Sequence, residues 1–184
     1  KARMAKMPSM AIRSDDEAAA AAIGRRAARV LTNRGVLPLM PGTFACVTQW
    51  RNDEAMYFPR EPGVLAGLQH GMQLIDPMAP LIPVSRACPE PEHAGIMERI
   101  GNARIVVFSA IVKNYAGDPF KGLLSEGTVS LIRKMKAAGK RIVLTLLGSP
   151  YPAGQVPEAD AVICTGGDTP GCVEGALALL MGKS

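Results

Sequence analysis

Three short stretches carry the residue types from which a binding or catalytic site is built. The first, Val112 to Gly122, holds Asn114, Tyr115 and Asp118 among glycines. An amide, a phenol and a carboxylate can together hydrogen-bond to a polar ligand such as a sugar. Asp118-Pro119 also has the form of a turn start, and both readings stand. The second stretch is Gly148-Ser149-Pro150-Tyr151-Pro152. The third, Thr165-Gly166-Gly167-Asp168, closes a strand-like run and opens a helix-like one. Paired glycines at a helix start let backbone amides approach an anion. Neither GxGxxG nor GxxxxGK[ST] is present, however, and Asp168 repels a phosphate at that mouth, so a tight turn with an acidic helix start competes with the anion reading. The substrate-binding candidates are therefore Asn114, Tyr115, Asp118, Gly166, Gly167 and Asp168.

No catalytic residue can be named. The two histidines, His70 and His93, have no metal spacing, and there is neither HExxH nor G-x-S-x-G. His93 follows Glu90-Pro91-Glu92, a charged helix start. Cys46, Cys88, Cys164 and Cys172 form no CxxC pair, and a chain of this size needs no disulfide staple. Cys172 falls in a first helical turn, where a thiolate is stabilised, but with no histidine beside it in sequence it reads as a packed side chain. A single carboxylate such as Asp118 or Asp168 cannot serve as both acid/base and nucleophile. No metal and no cofactor are expected.

The net charge of +5 over 184 residues suggests nucleic acid until it is located. All of it falls within residues 1–34, whose basic residues are Lys1, Arg3, Lys6, Arg13, Arg25, Arg26, Arg29 and Arg34; the remainder is balanced. With one Trp, three Tyr and four Phe, none interleaved with that basic run, the chain lacks stacking platforms for a nucleic acid. No apolar run approaches the roughly 18 residues of a membrane span. Neither nucleic acid nor a membrane is therefore expected as a partner. Lys1-Ala2-Arg3 is neither an initiator nor a signal region, and we expect a processed or excised piece of a longer protein.

The elements that must position the candidate loops alternate. Residues 1–13 read as an arm or interdomain linker and 14–184 as one domain. Ser14 to Glu17 has capping-box form, and the helix is expected to run to about Asn33, with Ile23, Ala27, Val30 and Leu31 on one apolar stripe and Gly35 as its stop. Strands are expected at Thr43–Gln49, Leu81–Val84 (an edge or irregular because of Pro83), Arg104–Ile111, Arg141–Leu147 and Asp160–Thr165. Helices are expected at Val64–Met72, Glu92–Ile100, Ser125–Ala138 and from Thr169, with Pro170 at its first position. Continuous apolar runs such as Arg104–Ile111 are buried on both faces. The expected fold is therefore α/β, a three-layer sandwich with an open, mostly parallel sheet of five or six strands, flavodoxin-like and doubly wound. Its ligands would sit beyond the carboxyl ends of the strands, where the three stretches lie.

Several of these segments together resemble one family. Ala27 to Leu39, ending Leu31-Thr32-Asn33-Arg34-Gly35-Val36-Leu37-Pro38-Leu39, resembles the entry to the C-terminal α/β domain of glycoside hydrolase family 3. Tyr115-Ala116-Gly117-Asp118, Val143 to Tyr151, and Pro157 to Ala161 look like the β-N-acetylhexosaminidase-type branch of that family. The resemblance covers residues 14–39 and 103–182 best. It implies an accessory domain beside an N-terminal (β/α)₈ barrel that carries the aspartate nucleophile, with carbohydrate as a ligand at the strand-end loops. Glucosidase-type members carry a glutamate acid/base just before the Gly-Asp pair. Here that stretch is Lys113-Asn114-Tyr115, without a carboxylate, which favours the branch whose proton donor is on the barrel. The alternatives are a stand-alone small-molecule or nucleotide-binding module and a purely structural interaction domain.

Overall fold

The structure is a computed structural model that describes residues 14–50, 63–112 and 119–183. Its elements run α1 (Ser14–Ala27), β1 (Arg29–Asn33), β2 (Phe44–Trp50), α2 (Gly63–Ile75), β3 (Leu81–Ser85), α3 (His93–Ile100), β4 (Ile105–Val112), α4 (Glu126–Ala137), β5 (Arg141–Gly148), β6 (Ala161–Cys164) and α5 (Pro170–Leu180). One sheet holds six strands in the order β1-β6-β5-β4-β2-β3. All neighbours are parallel except β1 and β6. Counted along the parallel part alone, the order is 2-1-3-4-5, the flavodoxin-like arrangement.

The apolar runs explain why the sheet is covered twice. On β4, Val106, Phe108, Ala110 and Val112 enter one core with Ile142, Leu144 and Leu146 of β5 and the inner face of α4. The alternate residues Val107 and Val143 enter the opposite core, with Met72 of α2 and Ala176 and Leu180 of α5. Such strands have no side to give to water, so helices must close both faces. The local signals hold as well. Ser125 Oγ accepts from the Thr128 amide as the cap of α4, and Thr169 Oγ1 accepts from the Cys172 amide as the cap of α5. β3 is an edge strand, where Pro83 costs no ladder bond to an outer neighbour.

The first helix differs from expectation. It stops at Ala27, and Arg29–Asn33 forms a strand antiparallel to β6. Val30 and Thr32 are β-branched, and the edge of β6 offers them a ladder that the helical pattern of the preceding alanines does not reveal. The expected apolar stripe accordingly does not exist: Ile23 is 70% exposed, and Val30 and Leu31 are exposed too. Val30 pairs with Ile163 and Thr32 with Val162, which leaves Leu31 as a bulge. That bulge, with Arg29 beside it, blunts an edge that would otherwise template aggregation. The helix α1 lies instead against α5 by backbone approach. A Cβ on Gly24 would stand 2.8 Å from the Cys172 nitrogen, and one on Gly175 2.7 Å from the Ala28 Cβ.

The segment after β1 shows what the Asn-x-Gly-x-Leu-Pro-Leu pattern does. Asn33 Oδ1 accepts from the amides of Val36 and Leu37, Gly35 takes φ +70, and Val36 and Leu39 are buried in the α5-side core. The Leu39 amide then bonds the Leu180 carbonyl, which ties the end of α5 to the sheet's amino edge.

At that edge Asp160 accepts from the Ile142 amide (2.7 Å) and from Lys136 Nζ (2.8 Å), with Arg141 nearby. Burial alone would raise the Asp160 carboxyl. The Lys136 and Ile142 hydrogen bonds and the charges of Lys136 and Arg141 outweigh that and hold it below its ordinary 3.8. A depressed carboxylate contributes stability above its unfolded pKa and loses it as pH falls through the folded one. Asp160→Asn is therefore expected to cost about 1–3 kcal/mol at neutral pH. In urea unfolding followed against pH, the gap from the parent protein should be full above pH 3.8 and close progressively below it. A gap independent of pH would show that the charge contributes nothing.

Candidate functional site

Because β2 to β6 run parallel, their carboxyl ends gather on one edge, and the strand order reverses between β2 and β4. That reversal opens the crevice where ligands of open α/β sheets sit. Residues 51–62 and 113–118 continue from those two strands and lie outside the described residues, and with them Asn114, Tyr115 and Asp118. The other two stretches, 148–152 and 165–168, do meet on this edge at the ends of the neighbouring strands β5 and β6.

The described part of the edge is a hydrogen-bonded frame that sequence reasoning did not find. Gln49, buried near the end of β2, donates from Nε2 to Thr128 Oγ1 (2.7 Å) in the first turn of α4. Thr128 in turn donates to the Arg86 carbonyl (3.4 Å), and Ser125 Oγ donates to the Ala87 carbonyl (2.9 Å). The chain leaving β3 is thus strapped to the start of α4. The approach is so close that a Cβ on Gly127 would collide with the carbonyls of Ala87 and Cys88. Arg86 itself is only 5% exposed, and its guanidinium carbon lies 4.9 Å from the centre of the Phe120 ring. The cap at Ser125 was readable locally; Gln49, Arg86 and Phe120 meet only in three dimensions.

Gly166 is exposed at φ +68, and Gly167 and Asp168 are half-buried. The Thr165 hydroxyl donates to the Gly167 carbonyl, which tightens the turn. The start of α5 behind it has little left to offer a phosphate. Pro170 has no N–H, the Cys172 amide is spent on Thr169, and the α1 backbone at Ala21 lies against Gly171, where a Cβ would stand 2.5 Å from the Ala21 carbonyl oxygen. An anion needs free, converging amides, and the positions of Pro170 and Cys172 supply none. On the neighbouring loop, Tyr151 is 82% exposed between two prolines, and its amide donates to Ser149 Oγ (3.3 Å).

Among the described residues the side chains on this edge do not assemble a nucleophile with a base. Burial pushes the Cys88 thiol up to about 11, with the Glu92 charge adding to it. At the amino end of the sheet, burial and then Asp76 raise Cys46 to about 12. Neither is a thiolate at neutral pH. Cys172 is buried, with Thr169 Oγ1 3.3 Å from its sulfur. His93 is buried and donates from Nε2 to the Cys88 carbonyl (2.9 Å), which makes it a structural tie, while His70 is exposed on α2. Among the described residues no group of three or more His, Cys, Asp or Glu could hold a metal, and no helix is long and apolar enough to cross a membrane. A groove of about 860 Å³ runs along α4 beside Gly154 and Gln155, but on the helix's outer face, away from the crevice.

No family model matches the chain, and no curated protein matches it in sequence. Solved structures do match. A glycoside hydrolase family 3 β-N-acetylglucosaminidase from Paenibacillus sp. str. FPU-7 is similar over 100% of this chain and 33% of its own, with a TM-score of 0.67 at 15% identity. A fungal multi-domain family 3 β-N-acetylglucosaminidase is similar over 98% of this chain and 19% of its own (TM-score 0.64, 20% identity). The β-glucosidase of Listeria innocua in complex with glucose is similar over 94% and 26% (TM-score 0.68, 20% identity). The likeness establishes a shared fold, and the chain spans a third or less of the length of each of these proteins.

Two features can be tested on the chain as it stands. Gly148 ends β5 at φ +130, and a Cβ there would collide with the Val112 carbonyl. Gly148→Ala should cost about 2–4 kcal/mol in urea unfolding. A loss under half a kcal/mol would mean that β4 and β5 part freely here. The four free cysteines are all buried, so a thiol reagent should label none of them rapidly in the native protein and all four after unfolding.

Proposed function

We propose that this chain is the C-terminal α/β domain of a family 3 glycoside hydrolase of the β-N-acetylhexosaminidase type. In this reading it packs beside a (β/α)₈ barrel that bears the catalytic carboxyl groups, and its carboxyl-edge loops border the barrel's cleft. The observation that carries the proposal is the likeness over the whole chain to one part of family 3 enzymes, joined to the Asn33-to-Leu39 pattern that locks β1 to α5.

Hydrolysis of a glycosidic bond with retention takes two carboxyl-type groups flanking one bond. The chain has no such pair that we can name, and Lys113-Asn114-Tyr115 lacks the glutamate that glucosidase-type members carry there. The domain's part is then to bind and shape. Asn114, Tyr115 and Asp118 from one loop, with Gly166, Gly167 and Asp168 from another, are the candidates for contact with a sugar. The rival reading, a stand-alone nucleotide module, is weakened because the first turn of α5 lacks amide donors at Pro170 and Cys172.

The test is an assay of the isolated chain beside the intact protein encoded by the same gene, on an aryl β-N-acetylglucosaminide. The chain alone should release nothing above blank, and the intact protein should hydrolyse the substrate. Turnover by the chain alone, abolished by Asp118→Ala, would overturn the proposal.

A further inference from the structure

From residue 35 onward the sequence is balanced in charge, yet folding gathers cations along the amino edge of the sheet, opposite the candidate site. Arg34 follows β1, Arg104 precedes β4, Lys140 precedes and Arg141 begins β5, and Arg99 of α3 reaches the Leu81 carbonyl at the start of β3 (3.0 Å). Backbone hydrogen bonds make the row continuous. The Arg34 amide bonds the Asp160 carbonyl, the Arg141 amide the Arg104 carbonyl, and the Arg104 amide the Thr43 carbonyl.

These charges are fixed in place by carbonyls, which orient a cation without neutralising it. Lys140 Nζ donates to the carbonyls of Gly101 and Ala103 (2.6 and 2.9 Å), Arg141 to those of Arg34 and Gly35 (2.6 and 3.1 Å), and Arg34 to that of Pro157 (3.1 Å). Arg104 is exposed. Among the described residues the carboxylates bonded along this row are Asp160, which Lys136 and the Ile142 amide already occupy, and Asp76, which accepts from the amides of Gly42 and Met78. The surplus is positive, and oriented guanidinium groups match carboxylates.

Asp76 also carries the row into an apolar patch. Its two bonds join the loop of Met40 to that of Met78 beside the end of α2, and Met40, Leu74 and Met78 are 61%, 74% and 86% exposed. Large apolar side chains grouped beside fixed arginines have the make-up of a protein interface, where Met and Arg are enriched. Other occupants fit less well. A nucleic acid would set the three apolar side chains against phosphates, with no aromatic ring among them for a base to stack on. A second copy of the same edge would bring cation against cation. A bilayer surface is met by an amphipathic helix with basic groups flanking its apolar face, whereas here the cations and the apolar groups lie end to end.

We propose that the amino edge is a docking surface for a separate acidic protein, whose carboxylates pair with Arg104, Lys140 and Arg141 while its apolar side chains cover Met40, Leu74 and Met78. The eight residues of β4 hold this edge about 26 Å from the carboxyl edge. The surface is thus distinct from the one assigned to a glycosidase cleft, and the inference does not depend on that reading.

The probe is a fluorescein-labelled amphipathic peptide with glutamates beside a leucine stripe, titrated by fluorescence anisotropy with the chain and with the intact protein encoded by the same gene. Both should bind it, and more weakly as salt rises. Arg104→Glu should weaken binding about tenfold and Met78→Ser about fivefold. Lys121→Glu, at the carboxyl edge, should leave it unchanged, with circular dichroism checking that each variant is folded. No binding, binding that Arg104→Glu leaves intact, or equal affinity for polyglutamate, a DNA oligonucleotide or phosphatidylserine vesicles would overturn the proposal. So would binding to the chain but not to the intact protein, which would show the edge covered by another part of the same polypeptide.

Discussion

The eight residues Ile105 to Val112 form a strand with no polar face, and the rest of the architecture follows from that constraint. A strand buried on both sides needs a helical layer on each, and parallel neighbours provide them through crossovers. The helices α3 and α4 close one side of the sheet, and α2 and α5 close the other. The same parallel arrangement sends every carboxyl end to one edge. The candidate site exists because the core is built this way, before any particular loop residue is considered.

The two edges of the sheet do different work. At the amino edge the ties are hydrogen bonds with ordinary backbone geometry at the non-glycine residues: Asp160 holds Ile142 and Lys136, Asn33 holds a turn, and Arg141 donates to the carbonyls of Arg34 and Gly35. At the carboxyl edge the frame contains buried polar groups, a buried cation, two strained residues and a glycine that no other residue can replace without collision. Strained residues of this kind concentrate at functional sites, which is consistent with function residing at this edge. Among the described residues these features include no nucleophile–base pair, and the binding and shaping role proposed for the edge needs none.

Much of this was legible in the sequence because it is local. The apolar runs of β4 and β5, the Ser125 and Thr169 caps and the edge character of β3 each depend on a few adjacent residues. The end of α1 was not legible. Its alanines continue into Val30 and Leu31 without a break, and the partner that draws these residues into a strand is β6, far along the chain. Gly24, Gly171 and Gly175 read as poor helix residues until two helices are seen to touch through them. Arg86 and Gln49 carried no signal at all, since each acquires its role from Phe120 or Thr128, which only the folded chain brings near. Of the six candidate ligand residues, Gly166, Gly167 and Asp168 lie at the carboxyl end of β6 as expected from the sequence, while Asn114, Tyr115 and Asp118 fall outside the described residues.

The central claim is that this domain completes a site whose catalytic groups belong to another part of the same polypeptide. The most direct test is to read the coding sequence upstream of Lys1. The account predicts an open reading frame continuous with this chain that encodes a (β/α)₈ barrel, typically about 250 residues, with an aspartate at the carboxyl end of one of its strands. A start codon immediately before Lys1, with no barrel in frame, would contradict it.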